Sequence, residues 1–150
     1  MTLRFWLPGE PVAQARARTV FRDKRKRLLR TPHSYYPKES QDYREWAALR
    51  LRAQFVALPD KPMLGPRGSI FGPVKLGLLF YRVRPKSNKS EWPTVKPDLD
   101  NYVKMLCDAL MDAGILADDA QVCRLDAGKF WVVEEYRCGP GVEVIVEPLP

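Results

Sequence analysis

Histidine and paired cysteine are scarce in this sequence, which excludes several kinds of active site. There is one histidine, His33, and the three cysteines stand apart at Cys107, Cys123 and Cys138. They cannot supply a zinc site of the C-x-x-C type or a disulfide framework. His33 has no recognisable partner among the residues around it, so we expect it to be structural.

A long apolar run and a glycine-rich phosphate loop are missing as well. No stretch is apolar for long enough to cross a bilayer, and residues 1–9 do not have the organisation of a signal peptide. We therefore expect a cytoplasmic protein with no membrane partner. Because no nucleotide-binding loop is present, we also expect no small-molecule cofactor.

Positive charge is what the chain has in excess. Its 25 Lys and Arg residues outnumber its 18 Asp and Glu residues, and the net charge is +7 at pH 7. This balance predicts a polyanionic partner such as nucleic acid. The chain has 150 residues, of which 45% are apolar, and this is enough for one hydrophobic core. We therefore expect a single domain over residues 1–150.

The first group of basic residues surrounds one acid, Asp23. The residues on either side of it predict a hairpin whose strands are residues 19–22 and 27–30. We expect this N-terminal basic hairpin to carry its charge toward DNA phosphates. The residues predicted to contact DNA there are Arg16, Arg18, Lys24, Arg25, Lys26 and Arg27.

The second basic group lies in a loop that contains an aromatic residue, Trp92. Its members are Arg82, Arg84, Lys86, Lys89 and Lys96. An aromatic side chain among cations can stack on an unpaired base. Trp92 can equally pack as a lid over the edge of the core while the lysines remain solvated. The sequence leaves both interpretations open.

Hydrophobic periodicity predicts an α+β fold with a mixed β-sheet and two main helices. Strands are expected over residues 2–7, 73–83, 121–133 and 142–147, and the first helix over residues 37–57. The buried stripe expected in that helix is Trp46, Leu49, Ala53 and Val56, and the side chains left for solvent or DNA are Arg44, Arg50 and Arg52. The core residues expected in the two middle strands are Val74, Leu76, Leu78, Phe80, Val122, Leu125, Phe130 and Trp131, and those of the last strand are Val142, Val144 and Val146.

The second helix is expected to begin after Pro97, with Asp98 at its N-terminus. Gly114 is expected to close it in the left-handed conformation, after which Ile115 and Leu116 re-enter the core. The buried stripe expected in this helix is Leu99, Val103, Leu106 and Leu110.

Carboxylates and one lysine around the second helix suggest metal-dependent phosphate chemistry. Asp100, Lys104 and Asp108 lie one turn apart on its polar face. Magnesium prefers a few carboxylates together with water and phosphate oxygens, and Asp98, Asp100 and Asp119 fit that role. A divalent ion would offset the repulsion between these carboxylates. Lys104 can stabilise charge that develops on a scissile phosphate.

Each of these residues also has a simpler interpretation when it is taken alone. Asp98 can be a helix cap, and Lys104 can be the salt-bridge partner of Asp100 or Asp108 on the same helix. The pair Asp118-Asp119 can be a solvated turn. The combination is therefore more specific than any one member.

Residues 96–129 resemble the signature of the RusA-type Holliday-junction resolvases, also called crossover junction endodeoxyribonucleases. The matching residues are Lys96-Pro97-Asp98-Leu99-Asp100-Asn101, Lys104, Asp108-Ala109-Leu110 and Asp118-Asp119-Ala120-Gln121-Val122. The resemblance implies a RusA-like homodimer, encoded by a bacterium or phage, that nicks two strands of a four-way DNA junction symmetrically in recombination and repair. It also implies dependence on Mg²⁺, for which Mn²⁺ can substitute.

The resemblance carries roles over to individual residues. The metal-binding aspartates of the family fall on Asp98, Asp100 and Asp119, and its catalytic lysine falls on Lys104. Lys129 matches a basic position that we expect, with Lys96, to contact DNA. Asp108 and Asp118 match the pattern without a clear role, and a structural one is expected for Asp108. One or two metal ions would activate water and polarise the phosphate, leaving a 5′-phosphate and a 3′-hydroxyl.

Two alternatives remain open from the sequence. One is a non-catalytic module that binds DNA junctions and whose carboxylates only cap a helix and pair with lysines. The other is a metal-dependent nuclease for another branched nucleic acid, because the same metal site serves many substrates.

Overall fold

The computed structural model describes residues 1–65, 68–133 and 139–150, so Cys138 lies outside the described residues. Its elements are β1 (Leu3–Pro8), β2 (Arg18–Arg22), β3 (Leu28–Tyr35), α1 (Lys38–Val56), β4 (Val74–Arg82), α2 (Leu99–Asp112), β5 (Val122–Trp131) and β6 (Gly141–Pro148). One 3-10 turn, Asp119–Gln121, precedes β5. Within the described residues, neither helix is long and apolar enough to span a membrane.

The main sheet has the strand order β1-β6-β4-β5 and is mixed. β6 pairs antiparallel with both β1 and β4, whereas β4 and β5 are parallel. Parallel neighbours need a long crossover, and α2 lies in that connection. As a result, α2 leads from the end of β4 back to the start of β5. The predicted α+β fold with a mixed sheet and two helices is confirmed.

The core lies between one face of this sheet and the two helices. The alternating residues predicted for the last strand and for the strand at 73–83 are buried, namely Val74, Leu76, Leu78, Phe80, Val142, Val144 and Val146. Those contributed by α2 are Tyr102, Met105, Leu106, Ala109 and Leu110. The ring of Tyr102 stacks on Phe80 with 4.9 Å between centroids. Because burying one large apolar side chain contributes about 1.5–3 kcal/mol, these layers hold α2 firmly against the sheet.

The buried face of α1 differs from the predicted one. Leu49 and Val56 are 71% and 62% exposed, Ala53 is exposed, and only Trp46 of the predicted stripe packs against the core. The buried residues are Ser40, Ala47, Ala48, Leu51 and Phe55. Apolar residues occur on several sides of α1, so periodicity does not select one face. The observed face carries small side chains, which let a helix approach its neighbours closely.

The prediction that Leu125 belongs to the core is wrong, because this side chain is 52% exposed. It lies opposite Leu76 on the helix-facing side, but β5 is an edge strand and a cleft separates it from α2. Leu99 and Val103, which the sequence predicts to be buried, are only partly buried because they face the same cleft. The edge of the core is therefore open where the acidic residues lie.

The other face of the sheet carries a row of aromatic side chains, which we call the outer aromatic face: Trp6, Tyr81, Phe130 and Trp92. Successive ring centroids along the row are 6.1, 5.8 and 5.7 Å apart. The prediction that Phe130 lies in the core is wrong, because the strand pleat turns it away from the helices, whereas Trp131 is buried as predicted. These rings line a broad cavity of about 1,580 Å³.

Gly114 closes the C-terminus of α2, as the sequence predicts. Gly114 has φ of 72°, in the left-handed region that favours glycine. Its N–H donates to the carbonyl of Met111 and the N–H of Ile115 donates to that of Leu110, at 2.9 and 3.0 Å. These two bonds form a Schellman motif. The chain then turns sharply, which buries Ile115 and Leu116 in the core as predicted.

Strands β2 and β3 pair antiparallel in a separate two-stranded sheet, which we call the basic ribbon (Arg18–Tyr35). Asp23 builds its turn, since one carboxylate oxygen accepts hydrogen bonds from the N–H groups of Arg25 and Arg27 at 2.8 and 2.9 Å. The backbone hydrogen bond from Arg27 is the main reason that the pKa of Asp23 is lowered. The one acid in the basic run is therefore the residue that shapes it.

We expect Leu106→Ala to lower the free energy of unfolding by about 2–5 kcal/mol, because it leaves a cavity in the core. Leu49→Ala removes the same atoms from a position that is 71% exposed, and should change it by less than about 0.5 kcal/mol. Urea unfolding followed by circular dichroism measures both variants. Equal losses would contradict the buried face assigned to α1.

Candidate active site

A cleft of about 730 Å³ lies between α2 and β5. Its lining residues are Leu99, Asp100, Val103, Lys104, Cys107, Asp108, Asp119, Leu125 and Ala127. The structure thus places three of the four predicted catalytic residues, Asp100, Lys104 and Asp119, along one cavity. The fourth, Asp98, is the residue before α2 and lies outside this lining.

The position of Asp119 is set by its neighbours. A carboxylate oxygen of Asp118 accepts a hydrogen bond from the N–H of Ala120 at 2.8 Å. In return, Oε1 of Gln121 accepts one from the N–H of Asp118 at 3.2 Å, and another from the N–H of Ala117 at 2.7 Å. Gln121 also donates through Nε2 to the carbonyls of residues 70 and 72, at 3.0 and 2.9 Å. This capping box anchors the turn and leaves Asp119 at its first position.

Gln121 is a residue whose role the sequence reasoning missed. The signal for it is an acid followed three residues later by glutamine, which is the spacing of a capping box. Asp118, whose role was open, is a turn cap. The simpler interpretation of the acidic pair therefore applies to Asp118, whereas Asp119 is exposed and has no partner among the described residues.

The acids near α2 fall into two sets. Asp108 and Asp112 pair with Arg44 of α1, at 3.4 Å for Asp108 and at 2.9 Å for the bond from Nη2 to Asp112. The prediction that Arg44 is available to solvent or DNA is wrong, because these contacts tie α1 to α2. Asp108 is therefore structural, as expected.

The second set consists of Asp98, Asp100 and Asp119. Across the described ranges, these three carboxylates accept no hydrogen bond and form no ion pair within 4.0 Å. Asp98 occupies the N-cap position of α2 without a capping bond from its side chain. The simpler role for Asp98, that of a helix cap, is therefore not the one its side chain takes.

Lys104 is exposed beside the cleft and, in the part of the chain that the structure describes, has no ion-pair partner. The salt bridge to Asp100 or Asp108 that the sequence allowed is not formed. Cys107 lies one turn further along the lining, and burial raises the pKa of its thiol to about 11, with smaller contributions from Asp119 and Asp108. Cys107 therefore stays neutral at physiological pH.

The carboxylates are not gathered into a finished metal cluster. Among residues 1–65, 68–133 and 139–150, no three His, Cys, Asp or Glu side chains are arranged to hold a metal ion. The chemistry of the donors nevertheless suits a hard cation, since the oxygens of Asp98, Asp100 and Asp119 are free and the last two carboxylates border an open cleft. These carboxylates thus suit a metal ion by the type of their donor atoms and by their lack of other partners, and not by a preformed coordination geometry.

Comparison with known proteins identifies the family. The model of the family described as endodeoxyribonuclease RusA matches residues 8–147. The chain belongs to the RusA endodeoxyribonuclease family. It is 35% identical over 156 aligned residues to the uncharacterized protein YqaN of Bacillus subtilis (strain 168), covering 96% of this chain and 94% of that protein. It is 38% identical over 58 residues to the crossover junction endodeoxyribonuclease rusA of Lactococcus phage r1t, covering 38% of this chain and 44% of the phage protein.

Membership of the RusA family confirms the resemblance seen in residues 96–129 and makes this chain a crossover junction endodeoxyribonuclease, a hydrolase of phosphodiester bonds. RusA-family nucleases are generally metal-dependent. The free carboxylates are thus found in a protein of a class that uses metal ions.

The predicted DNA contacts of this RusA-family chain lie mostly on exposed surface. The exposed ones are Arg16, Arg18, Lys24, Arg25, Lys26, Arg27 and Lys96. Arg27 differs from the rest because its Nε donates to Asp23 at 2.9 Å, so part of its charge is offset. Lys129 differs more, because its Nζ donates to the carbonyls of Val95 and Pro97 at 2.9 and 3.0 Å. Trp92 is 57% exposed beside Phe130, on the outer aromatic face.

We expect Asp118→Ala to lower the free energy of unfolding by about 0.5–2 kcal/mol, since it removes a cap from the turn. Asp119→Ala removes the adjacent carboxylate, which has no partner among the described residues, and should leave stability nearly unchanged. Thermal and urea unfolding in EDTA compare the two. A larger loss for the Asp119 variant would contradict the separate roles given to these residues.

Proposed function

We propose that this chain is a magnesium-dependent, structure-specific endonuclease that resolves four-way DNA junctions by paired symmetric nicks, in recombination and repair. The observation that carries the proposal is the division of the acids around α2. Those with structural roles are engaged by Arg44 or by the turn, whereas Asp98, Asp100 and Asp119 are left free. Family membership supplies the class of reaction.

Asp98, Asp100 and Asp119 would hold the ion, and Mn²⁺ would substitute for Mg²⁺ because both accept hard oxygen donors. When bound, the metal supplies Lewis acidity to the phosphate and a more acidic attacking water. No three such side chains among the described residues are gathered to hold a metal ion, and a cation would offset the repulsion between these like charges. Metal binding would therefore draw the carboxylates together, and junction phosphate oxygens would complete the ligand set.

Lys104 would act on the substrate. Its ammonium group is not committed to Asp100 or Asp108, so it is available to the phosphate oxygens as negative charge develops on them. Its place on α2, one turn after Asp100, keeps it beside the carboxylates. The neutral thiol of Cys107 adds no negative charge to this part of the cleft.

The basic ribbon and the exposed lysine at position 96 would position the junction. Their cations are suited to backbone phosphates, which set register and orientation without reading sequence. Lys96 lies two residues before Asp98, so a phosphate bound there would be close to the carboxylates. The ribbon is a separate sheet, which suits a second contact on another arm of the junction.

Paired nicks in a two-fold substrate require two sites, and a two-fold homodimer supplies them. We propose that a second copy covers the outer aromatic face. Its aromatic side chains are not fully buried, and the charges on the outward side of the strands are balanced, with Arg4, Lys75 and Arg124 against Asp126, Glu143 and Glu147. On a chain of net charge +7, the strands of this face suit a protein partner better than DNA, whereas the loop at its border carries Arg84, Lys86 and Lys89.

Cleavage of a labelled synthetic four-way junction tests the activity. We expect symmetric paired nicks with Mg²⁺, none with EDTA, and a loss of more than about 100-fold for Asp100→Asn, because even second-shell partners of metal ligands cost about 10- to 100-fold. Asp60→Asn makes the same change at an exposed acid outside the cleft and should cut normally.

Linear and flapped duplexes serve as controls for the substrate. Cutting of the flap alone would keep the metal site but replace the substrate with another branched nucleic acid. Tight junction binding by wild type without any cutting would instead identify a recognition module. An Asp100→Asn variant that cuts at the wild-type rate would remove Asp100 from the site.

Light scattering after gel filtration tests the dimer. The wild type should have about twice the chain mass of 17.3 kDa. Leu79→Glu places a charge among the outer aromatic residues and should shift the mass to that of one chain, because burying an unpaired charge in an interface is costly. Leu49→Glu, at an exposed position of α1, should leave the dimer intact. A monomeric wild type would contradict the proposed assembly.

A further inference from the structure

Two cations on neighbouring strands converge on the segment that leads into α2. Lys129 of β5 donates through Nζ to the carbonyls of Val95 and Pro97, at 2.9 and 3.0 Å. Arg82 of β4 donates through Nη1 to the carbonyls of Val95 and Lys96, at longer distances of 3.4 and 3.2 Å. Three successive carbonyls are thus held by charged donors immediately before Asp98.

The surroundings of Arg82 show that it is part of the fold. Its side chain is 14% exposed, and the guanidinium lies over the rings of Tyr102 and Trp131, 5.9 and 5.8 Å from their centroids. Nε lies 3.5 Å from Oε1 of Glu10, which balances the charge without a hydrogen bond of good geometry. The other oxygen of Glu10 accepts a hydrogen bond from the N–H of Val83 at 3.0 Å.

Lys129, like Arg82, is partly buried and bound to the backbone. Burial, and to a smaller extent the charge of Arg82, lower its pKa, while Asp98 acts in the opposite direction. Two of its three donors are already used on backbone carbonyls, so less of it is available to a phosphate than of an exposed lysine. Asp98 is therefore near enough for its charge to act on Lys129, although the two side chains form no ion pair among the described residues.

We propose that Lys129 is a positioning residue that, together with Arg82, holds residues 95–97 so that Asp98 stands ready to join Asp100 as a metal ligand. The inference rests on the proposed function and replaces the expectation that Lys129 contacts DNA. Asp98 has no capping bond, so its place depends on the backbone that precedes it. Second-shell partners of this kind change metal affinity by about 10- to 100-fold.

The test compares Lys129→Met with Lys96→Met, which removes the same charge from the exposed lysine of the same segment. Metal affinity is measured from the EPR signal of free Mn²⁺, and affinity for the junction is measured in EDTA at several salt concentrations. We expect Lys129→Met to weaken Mn²⁺ binding by about 10- to 100-fold while junction binding stays within about twofold of wild type. Lys96→Met should leave Mn²⁺ binding unchanged, weaken junction binding and reduce its salt slope by about one.

Lys129→Gln separates hydrogen bonding from charge, because its amide still donates to a carbonyl. Recovery of Mn²⁺ binding by this variant, relative to Lys129→Met, is expected. Three results would overturn the inference. The first is that Lys129→Met binds Mn²⁺ as tightly as wild type. The second is that Lys129→Met binds the junction more weakly and with a smaller salt slope. The third is that Lys129→Met is poorly folded and Lys129→Gln binds Mn²⁺ equally weakly. Wild type that binds no Mn²⁺ would overturn the proposed function as well, so the two failures are distinguishable.

Discussion

The parallel pairing of β4 with β5 is the constraint on which the candidate site depends. Parallel neighbours cannot be joined by a hairpin, so the chain must cross the sheet, and α2 is that crossing. The crossing places Asp98 and Asp100 where α2 begins, and the turn after Gly114 places Asp119 where β5 begins. One helix and its two connections therefore carry Asp98, Asp100 and Asp119 to one edge of the sheet.

Charge in this protein is divided between side chains that build the fold and side chains that remain free. Arg44 joins the two helices, and Asp23 shapes the basic ribbon. Arg82 and Lys129 bind backbone carbonyls in partly buried surroundings, where charged donors form stronger hydrogen bonds than neutral ones. The excess of basic residues is thus not all available to DNA, and the exposed cations include those of the ribbon and Lys96.

The two faces of the sheet have different environments. The inner face is closed by both helices except at the cleft, where the edge strand and α2 separate. The outer face is aromatic, with balanced charges on its strands and a basic loop, which carries Arg84, Lys86 and Lys89, at its border. This separation allows the proposed DNA surface and the proposed dimer surface to be occupied together, which a symmetric pair of cuts requires.

The sequence by itself determined the alternation of β4 and β6, the end of α2 at Gly114 and the acidic signature of the RusA family, because each is written in the spacing of nearby residues. Only the tertiary structure decided which side of α1 is buried, and that Leu125 and Phe130 lie outside the core. It also distinguished Asp119 from the acid beside it and turned Lys129 toward the backbone. Apart from the capping of the turn by Asp118, which is local, these outcomes depend on contacts between residues far apart in the chain, which no local pattern contains.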